Sequence, residues 1–326
     1  MAAPARVSVH RRGVMKGRPG NRGAPTHRAA IGAPTVVLVL VVAVVAAASI
    51  FGRRLLPTQP GPAEDDPGPE GQFIEEIARF RAPEAHQGVA VDETHFFAVG
   101  NTVIAKYDRR TGRKAGEWRA GGDDRFVHLN SCVVVDGELV CAHSNYPELP
   151  MRSSIERWDP ESLEHLGSTV LEGDLLPREG GSLTWALPRS GDWWLGLAHY
   201  DTRGGEPDRG TEWSRVLRLE GDLVGGSLRE RVATYRYPRA LVDRLRPFSA
   251  SGAGWGPDGF LWITGHDEAA VYVLRVPGSG STLEWVRTIS APMHGQAWVF
   301  DPEDPTTVWG IVRSTGEVVV GRLESL

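Results

Sequence analysis

Six histidines fall at two repeated positions among runs of strand-forming residues. His86, His128 and His294 precede such runs in HQGVAVD, HLNSCVVVD and HGQAWVFD, while His143, His199 and His266 close others in CAHSN, LAHYD and TGHDE. Asn130, Asn145, Asp201, Asp267 and Gln296 accompany them. Neutral imidazoles beside Asp or Asn oxygens suit Zn, Mn or Fe, and a site with an open position polarises a carbonyl or acidifies a bound water. The expected chemistry is a divalent transition metal held by some of these six, stabilising an enolate or oxyanion while His199, Tyr200 and Asp201 move a proton. A lyase or isomerase would work in this way. The same pocket without turnover would be a ligand-binding or protein-interaction module. His199 with Asp201 would also suit a neighbouring serine, but nothing singles that serine out.

A second group of charges lies in YPRALVDRLRPFSAS (237–251), a connection with a short helical pattern. Its Arg239, Arg244 and Arg246 are candidates for gripping a ligand carboxylate, because guanidinium pairs with carboxylate bidentately. The ligand-binding set is therefore Asn130, Asn145, Asp267, Gln296 and these three arginines. Phosphate loops of the GxxxxGK[ST] type, GxSxG elbows and Gly-rich strand-to-helix turns with a dinucleotide pattern are absent from the sequence.

Positioning these residues falls to a procession of short strands punctuated by Gly, Pro and Asp. Four-strand units run 88–120, 128–171, 182–237 and 252–289, and a three-strand unit runs 295–323. FIEEIARF (73–80) supplies the missing strand of the last. Units of about 50 residues, closed by a strand from the far terminus, predict an all-β, five-bladed β-propeller over 72–326. In such a blade the start of strand one and the end of strand two share an edge. Both histidine positions should then converge on one mouth of the central channel.

Within the second unit, Asp136-Gly137 is the pair that a two-residue hairpin turn favours. Folding about it places Cys132, one of only two cysteines, opposite Cys141 at disulfide distance. Strict alternation would put His128 and Asn130 on the face of Cys132, and His143 and Asn145 on that of Cys141.

Seven of the 36 basic residues and none of the 41 acids lie in residues 1–28, leaving the rest of the chain at a net charge of −12. An acidic domain argues against nucleic acid as a partner. Residues 29–52 are uncharged and long enough to cross a bilayer as a signal-anchor. The basic tail would stay cytoplasmic and the propeller would lie outside the cell membrane. The alternative is a cleaved signal peptide ending near Ala46-Ala47-Ala48. Residues 53–71, rich in Pro, Gly and acids, read as a spacer. Both topologies export the domain to a disulfide-permissive compartment. The partners implied are the membrane and a small-molecule or carbohydrate ligand.

The stretches AHQGVAVDETHFFAVGNTVIAKYDRRTG, HLNSCVVVDGELVCAHSNYPELPMRSSIERWD and SGAGWGPDGFLWITGHD resemble a group of exported bacterial propeller proteins that carry the label cycloisomerase. The resemblance spans about residues 73–324. It implies a propeller and, through similarity to muconate-lactonising propellers, an isomerase activity whose catalytic residues map onto no position here. Histidines around a channel are also similar to the metal sites of propeller polysaccharide lyases, which use His and Gln.

Overall fold

The computed structural model describes residues 69–122, 125–178, 180–225 and 227–324, with side chains from Phe73 onward. The expected tail (1–28), anchor (29–52) and most of the spacer (53–71) lie outside the described residues. No helix among the described residues is long and apolar enough to cross a membrane.

The first strand, β1 (Pro69–Arg81), belongs to the last sheet of the chain. An antiparallel sheet follows from β2 (Gly88–Val91), β3 (His95–Gly100), β4 (Val103–Asp108) and β5 (Lys114–Arg119). The next holds β6 (His128–Val135), β7 (Glu138–Ser144), β8 (Ser153–Trp158) and β9 (His165–Leu171). A third contains β10 (Ser182–Arg189), β11 (Asp192–Ala198), β12 (Arg215–Asp222) and β13 (Ser227–Arg236). The helix α1 (Arg239–Leu245) leads into β14 (Gly252–Trp255), β15 (Leu261–Thr264), β16 (Ala270–Arg275) and β17 (Glu284–Ser290). These last four share one eight-stranded sheet with β18 (Val299–Phe300), β19 (Thr307–Val312), β20 (Glu317–Leu323) and β1, in the order β14-β15-β16-β17-β1-β20-β19-β18.

The first strands touch in sequence, β2 to β6, β6 to β10, β10 to β14, β14 to β18 and β18 back to β2. Sheets arranged so that their first strands close a ring form a β-propeller. Close packing of that ring demands small residues: a Cβ on Gly88 would stand 2.5 Å from that of Ala297, and one on Gly252 2.5 Å from the carbonyl of Gln296.

Apolar clusters fill the spaces between neighbouring sheets, and the large aromatics lie inside them. Trp158, Trp185, Trp262 and Trp298 are all fully buried. The expected closure is present: β1 pairs antiparallel with β20 from Ile74↔Leu323 to Arg81↔Glu317. It also pairs in parallel with β17. A bulge between Glu76 and Ala78 leaves Ile77 out of the ladder and reverses the faces beyond it. Ile74 therefore packs with Trp262, Trp298 and Val319, whereas Ala78 and Phe80 pack on the other side with Phe96 and Trp309.

The first strand of the last unit is shorter than the run HGQAWVFD suggests, pairing only at Val299 and Phe300. Gly295 and Gln296 both have positive φ, 61° and 59°. Their amides are used elsewhere: Gln296 N–H donates to Gly265 O, and the next amide, Ala297 N–H, donates to Gln87 O. This segment joins its neighbours in the ring before it pairs with β19.

The hairpin register is as expected at the cysteines, with Val135↔Glu138 and Cys132↔Cys141, and Cys132 and Cys141 are disulfide-bonded with Cα atoms 4.0 Å apart. Closing a loop of nine-residue separation should contribute about 2–3 kcal/mol by chain entropy. The C132S/C141S double variant is expected to lower the midpoint of urea unfolding accordingly. An unchanged midpoint would show that the turn alone holds the pair together.

Candidate functional site

Beyond the cysteines the hairpin departs from strict alternation. A bulge between Leu129 and Cys132 changes the pairing to Leu129↔His143 and His128↔Ser144. Because one extra residue reverses every later face, Leu129 joins the side of Cys132, and His128 and Asn130 turn to the opposite side. The bulge sends them to the channel and leaves His143 behind.

At the mouth of the ring lies a cavity of about 460 Å³, a size that suits a small ligand. Gln87, Asn130, Thr184, Ser251 and Gln296 line it: Asn130 and Thr184 are the third residues of β6 and β10, and Gln87, Ser251 and Gln296 come before β2, β14 and β18. Their polar atoms are partly tied to the ring itself. Asn130 Nδ2 donates to Leu183 O (2.8 Å), Gln296 Nε2 to His266 O (3.0 Å), Thr184 Oγ1 to Ala250 O (2.8 Å) and Gln87 Nε2 to Asn101 Oδ1 (2.6 Å). Around them stand His128, His266, Tyr146, Tyr200, Phe248, Arg203 and Arg313. Among the described residues no Asp or Glu lines the cavity.

Of the six histidines, His128 and His266 reach this mouth. His128 packs its ring 4.9 Å from that of Tyr146. Burial, helped by the like charges of His143 and Arg313, pulls its pKa down to about 4. His266 lies flat on Phe248, 3.8 Å between ring centres, with Nδ1 2.5 Å from Asp267 Oδ2 and Nε2 2.9 Å from Arg313 Nη1. Burial outweighs the aspartate and lowers its pKa as well.

The other four do not join them, which corrects the expectation of one histidine-lined mouth. His86 and His294 are exposed, and neither lines the cavity. His143 faces the opposite side of its sheet, accepting from Val127 N–H at Nε2 (3.3 Å) and donating from Nδ1 to Ser154 Oγ (2.9 Å). Ser154 passes the bond on to Glu156 (2.6 Å), which His165 and Ser168 also reach. This buried network borders a second cavity of about 830 Å³, walled by Phe126, Val127 and Val170. His199 is fully buried, with Nε2 directed at Gly180 O (3.3 Å). Among the described residues no three His, Cys, Asp or Glu side chains are grouped to hold a metal ion. Among the described residues the six histidines expected to hold Zn, Mn or Fe are not brought together.

The remaining expected residues divide in the same way. Tyr200 lines the mouth, and burial raises its phenol pKa. Asn145 spends its amide on its own loop, donating to Pro150 O and accepting from Arg152 N–H. Asp201 accepts from Thr211 and pairs with Arg246 (2.6 Å). Arg246 also pairs with Glu212 (2.7 Å), Arg239 with Asp243 (2.9 Å) and Arg244 with Glu268 (3.1 Å). These arginines hold the protein's own carboxylates. The cations that do line the mouth, Arg203 and Arg313, carried no signal beyond their places after a strand-two end, in HYDTR and IVRS. Gln87 and Ser251 were not among the expected residues, although each is the polar residue just before a first strand.

Burial lowers the pKa of His128, His143, His199 and His266 below the ordinary 6.5. The unfolded chain then binds more protons than the folded one, so stability is full above pH 6.5 and falls as pH drops toward the folded values. The carboxylates held low by partners, such as Glu76 and Glu84, lose their contributions only below about 4.5. The urea midpoint should therefore fall between pH 6.5 and pH 4.5. A midpoint flat over that window would show these imidazoles to be solvated.

No family profile matches the chain, and no curated protein does. Among solved structures it is similar to hydrazine synthase of Kuenenia stuttgartiensis, at 13% identity over 72% of this chain and 70% of that one, with a TM-score of 0.40. It is also similar to a gluconolactonase from Xanthomonas campestris, at 14% identity over 71% and 69%, with a TM-score of 0.37. The WD40 repeats of RRP9 are similar at 10% identity over 80% and 99%, with a TM-score of 0.38. The fold assignment rests on the strand topology, and the cycloisomerase label finds no support among these proteins.

Proposed function

We propose that the chain is a five-bladed propeller, held outside the membrane by its N-terminal segment, whose mouth binds a small organic anion. The eight-stranded sheet counts as two blades joined where β1 meets β17, which with the three separate sheets makes five. The observation that carries the ligand class is Arg313. Its guanidinium lines the cavity half-buried, and among the described residues it touches the neutral ring of His266 and pairs with no carboxylate. Arg203 lines the same cavity. A cation left so in a partly desolvated site favours an anionic visitor, bidentately for a carboxylate. The amides and hydroxyls of the ring offer the remaining polar contacts to a hydroxylated or carbohydrate-derived acid.

The test is calorimetric titration of the full chain in detergent micelles with glutarate, gluconate and, as a neutral comparison, glucose. Gluconate or glutarate should bind and glucose should bind at least tenfold more weakly, with affinity for the acids falling as salt rises. Equal affinity for gluconate and glucose, or binding of neither acid, would overturn the reading.

A further inference from the structure

We propose that His266 is a general base that activates water at the mouth, and that the substrate is an ester carrying a carboxylate; this rests on the anion-binding reading above. The tautomer of His266 is fixed from both sides. Arg313 Nη1 has only hydrogens to give, so His266 Nε2, 2.9 Å away, accepts and carries a lone pair. The ring proton is then on Nδ1 and donates to Asp267 Oδ2 at 2.5 Å. Phe248, stacked at 3.8 Å with an interplanar angle of 13°, sets the plane of the ring. A neutral imidazole oriented through Nδ1 by a carboxylate, with its other nitrogen at a cavity, is the arrangement a general base requires. Among the described residues His128 has no carboxylate partner of this kind: its neighbours are the ring of Tyr146 and the amide of Asn130.

The ligand's charge links binding to chemistry. A carboxylate offers Arg313 a stronger, charge-assisted bond than a neutral imidazole does. Its arrival draws the guanidinium away and frees Nε2 for a water molecule. The water gives a proton to His266 Nε2 as its oxygen bonds to the ester carbonyl carbon. The carbonyl oxygen becomes an oxyanion facing the cationic wall. When the carbonyl re-forms, the bond to the alkoxy oxygen breaks, and His266 returns the proton to that leaving group. An acid and an alcohol depart, and the imidazole is neutral again. Thr184 is an unsuitable nucleophile, since its hydroxyl donates to Ala250 O. Asp267 is a positioning residue, acting through Nδ1.

The experiment uses the full chain in micelles with mono-4-nitrophenyl glutarate, 4-nitrophenyl acetate as the neutral ester, and glutarate binding measured alongside. The wild type should hydrolyse the anionic ester with saturation and strongly prefer it to the acetate. His266→Gln should lower kcat at least about 100-fold, the low end for losing a general base, with KM and glutarate affinity within threefold of wild type. Asp267 is exposed, so Asp267→Asn should fold normally; it should lower kcat about tenfold or more at unchanged KM. In His266→Ala, added imidazole should restore part of the rate. Glutarate binding without hydrolysis by the wild type sinks the hydrolytic proposal and leaves the anion site standing. Full kcat in Asp267→Asn or His266→Gln removes the base assignment. Failure of glutarate and of gluconate to bind overturns both readings together.

Discussion

With aspartate at Ile74, the protein loses about 4 kcal/mol of stability, while aspartate at Ile77 changes it by less than about 0.5 kcal/mol. Both isoleucines belong to the strand that closes the ring, and both would look alike to a reader of FIEEIARF. Ile74 is 4% exposed and packs among Trp262, Trp298, Val319 and Leu323. The fit is tight enough that a Cβ on Gly321 would meet Ile74 Cγ2 at 2.3 Å. A carboxylate there gives up the transfer energy of the side chain, leaves a cavity and buries a charge without a partner. Ile77, by contrast, is 45% exposed and stands outside the ladder at the bulge. The measurement is urea unfolding of both variants beside wild type. Equal destabilisation by the two would mean that β1 alternates without the bulge, and no effect from either would mean that β1 does not close the ring.

That same difference, strands legible and faces not, explains what the sequence revealed of the site. The first four-strand unit was expected at 88–120, and its four strands run from Gly88 to Arg119. The period of two and the turn residues are local signals, so Asp136-Gly137 was enough to pair Cys132 with Cys141. A bulge carries no comparable signature. One extra residue at Asn130-Ser131 turned His128 toward the channel and left His143 facing Ser154 and Glu156. Residues placed correctly at an edge were therefore assigned to the wrong side. The arginines show a related limit. Arg246, expected to grip a ligand at the mouth, does not line that cavity, and its charge is engaged by Asp201 and Glu212, distant partners that spacing along the chain does not reveal. Asn130 and Gln296 both line the mouth, Gln296 from the segment that leads into its strand and Asn130 only because the bulge turns it there.

Charge reversal at Arg313 tests the mouth most directly. In Arg313→Glu the affinity for whichever of glutarate or gluconate binds should fall at least about 100-fold, a loss of roughly 3 kcal/mol. Two effects add: the variant removes a half-buried guanidinium and places an anion in a cavity that no other Asp or Glu lines among the described residues. The change should spare the fold. Among the described residues Arg313 pairs with no carboxylate, so its removal strands no buried anion, and its bond to His266 is to a neutral ring. Arg203→Gln, which leaves the second guanidinium in place, should cost less, about tenfold, and Arg152→Glu at the other cavity should cost nothing. Ordered losses of this kind, measured by titration at constant ionic strength, would assign the anion to the ring's centre. If Arg152→Glu were the variant that lost binding, the anion would belong to the cavity beside Glu156, and the polar residues of the five innermost strands would serve only to knit the ring together.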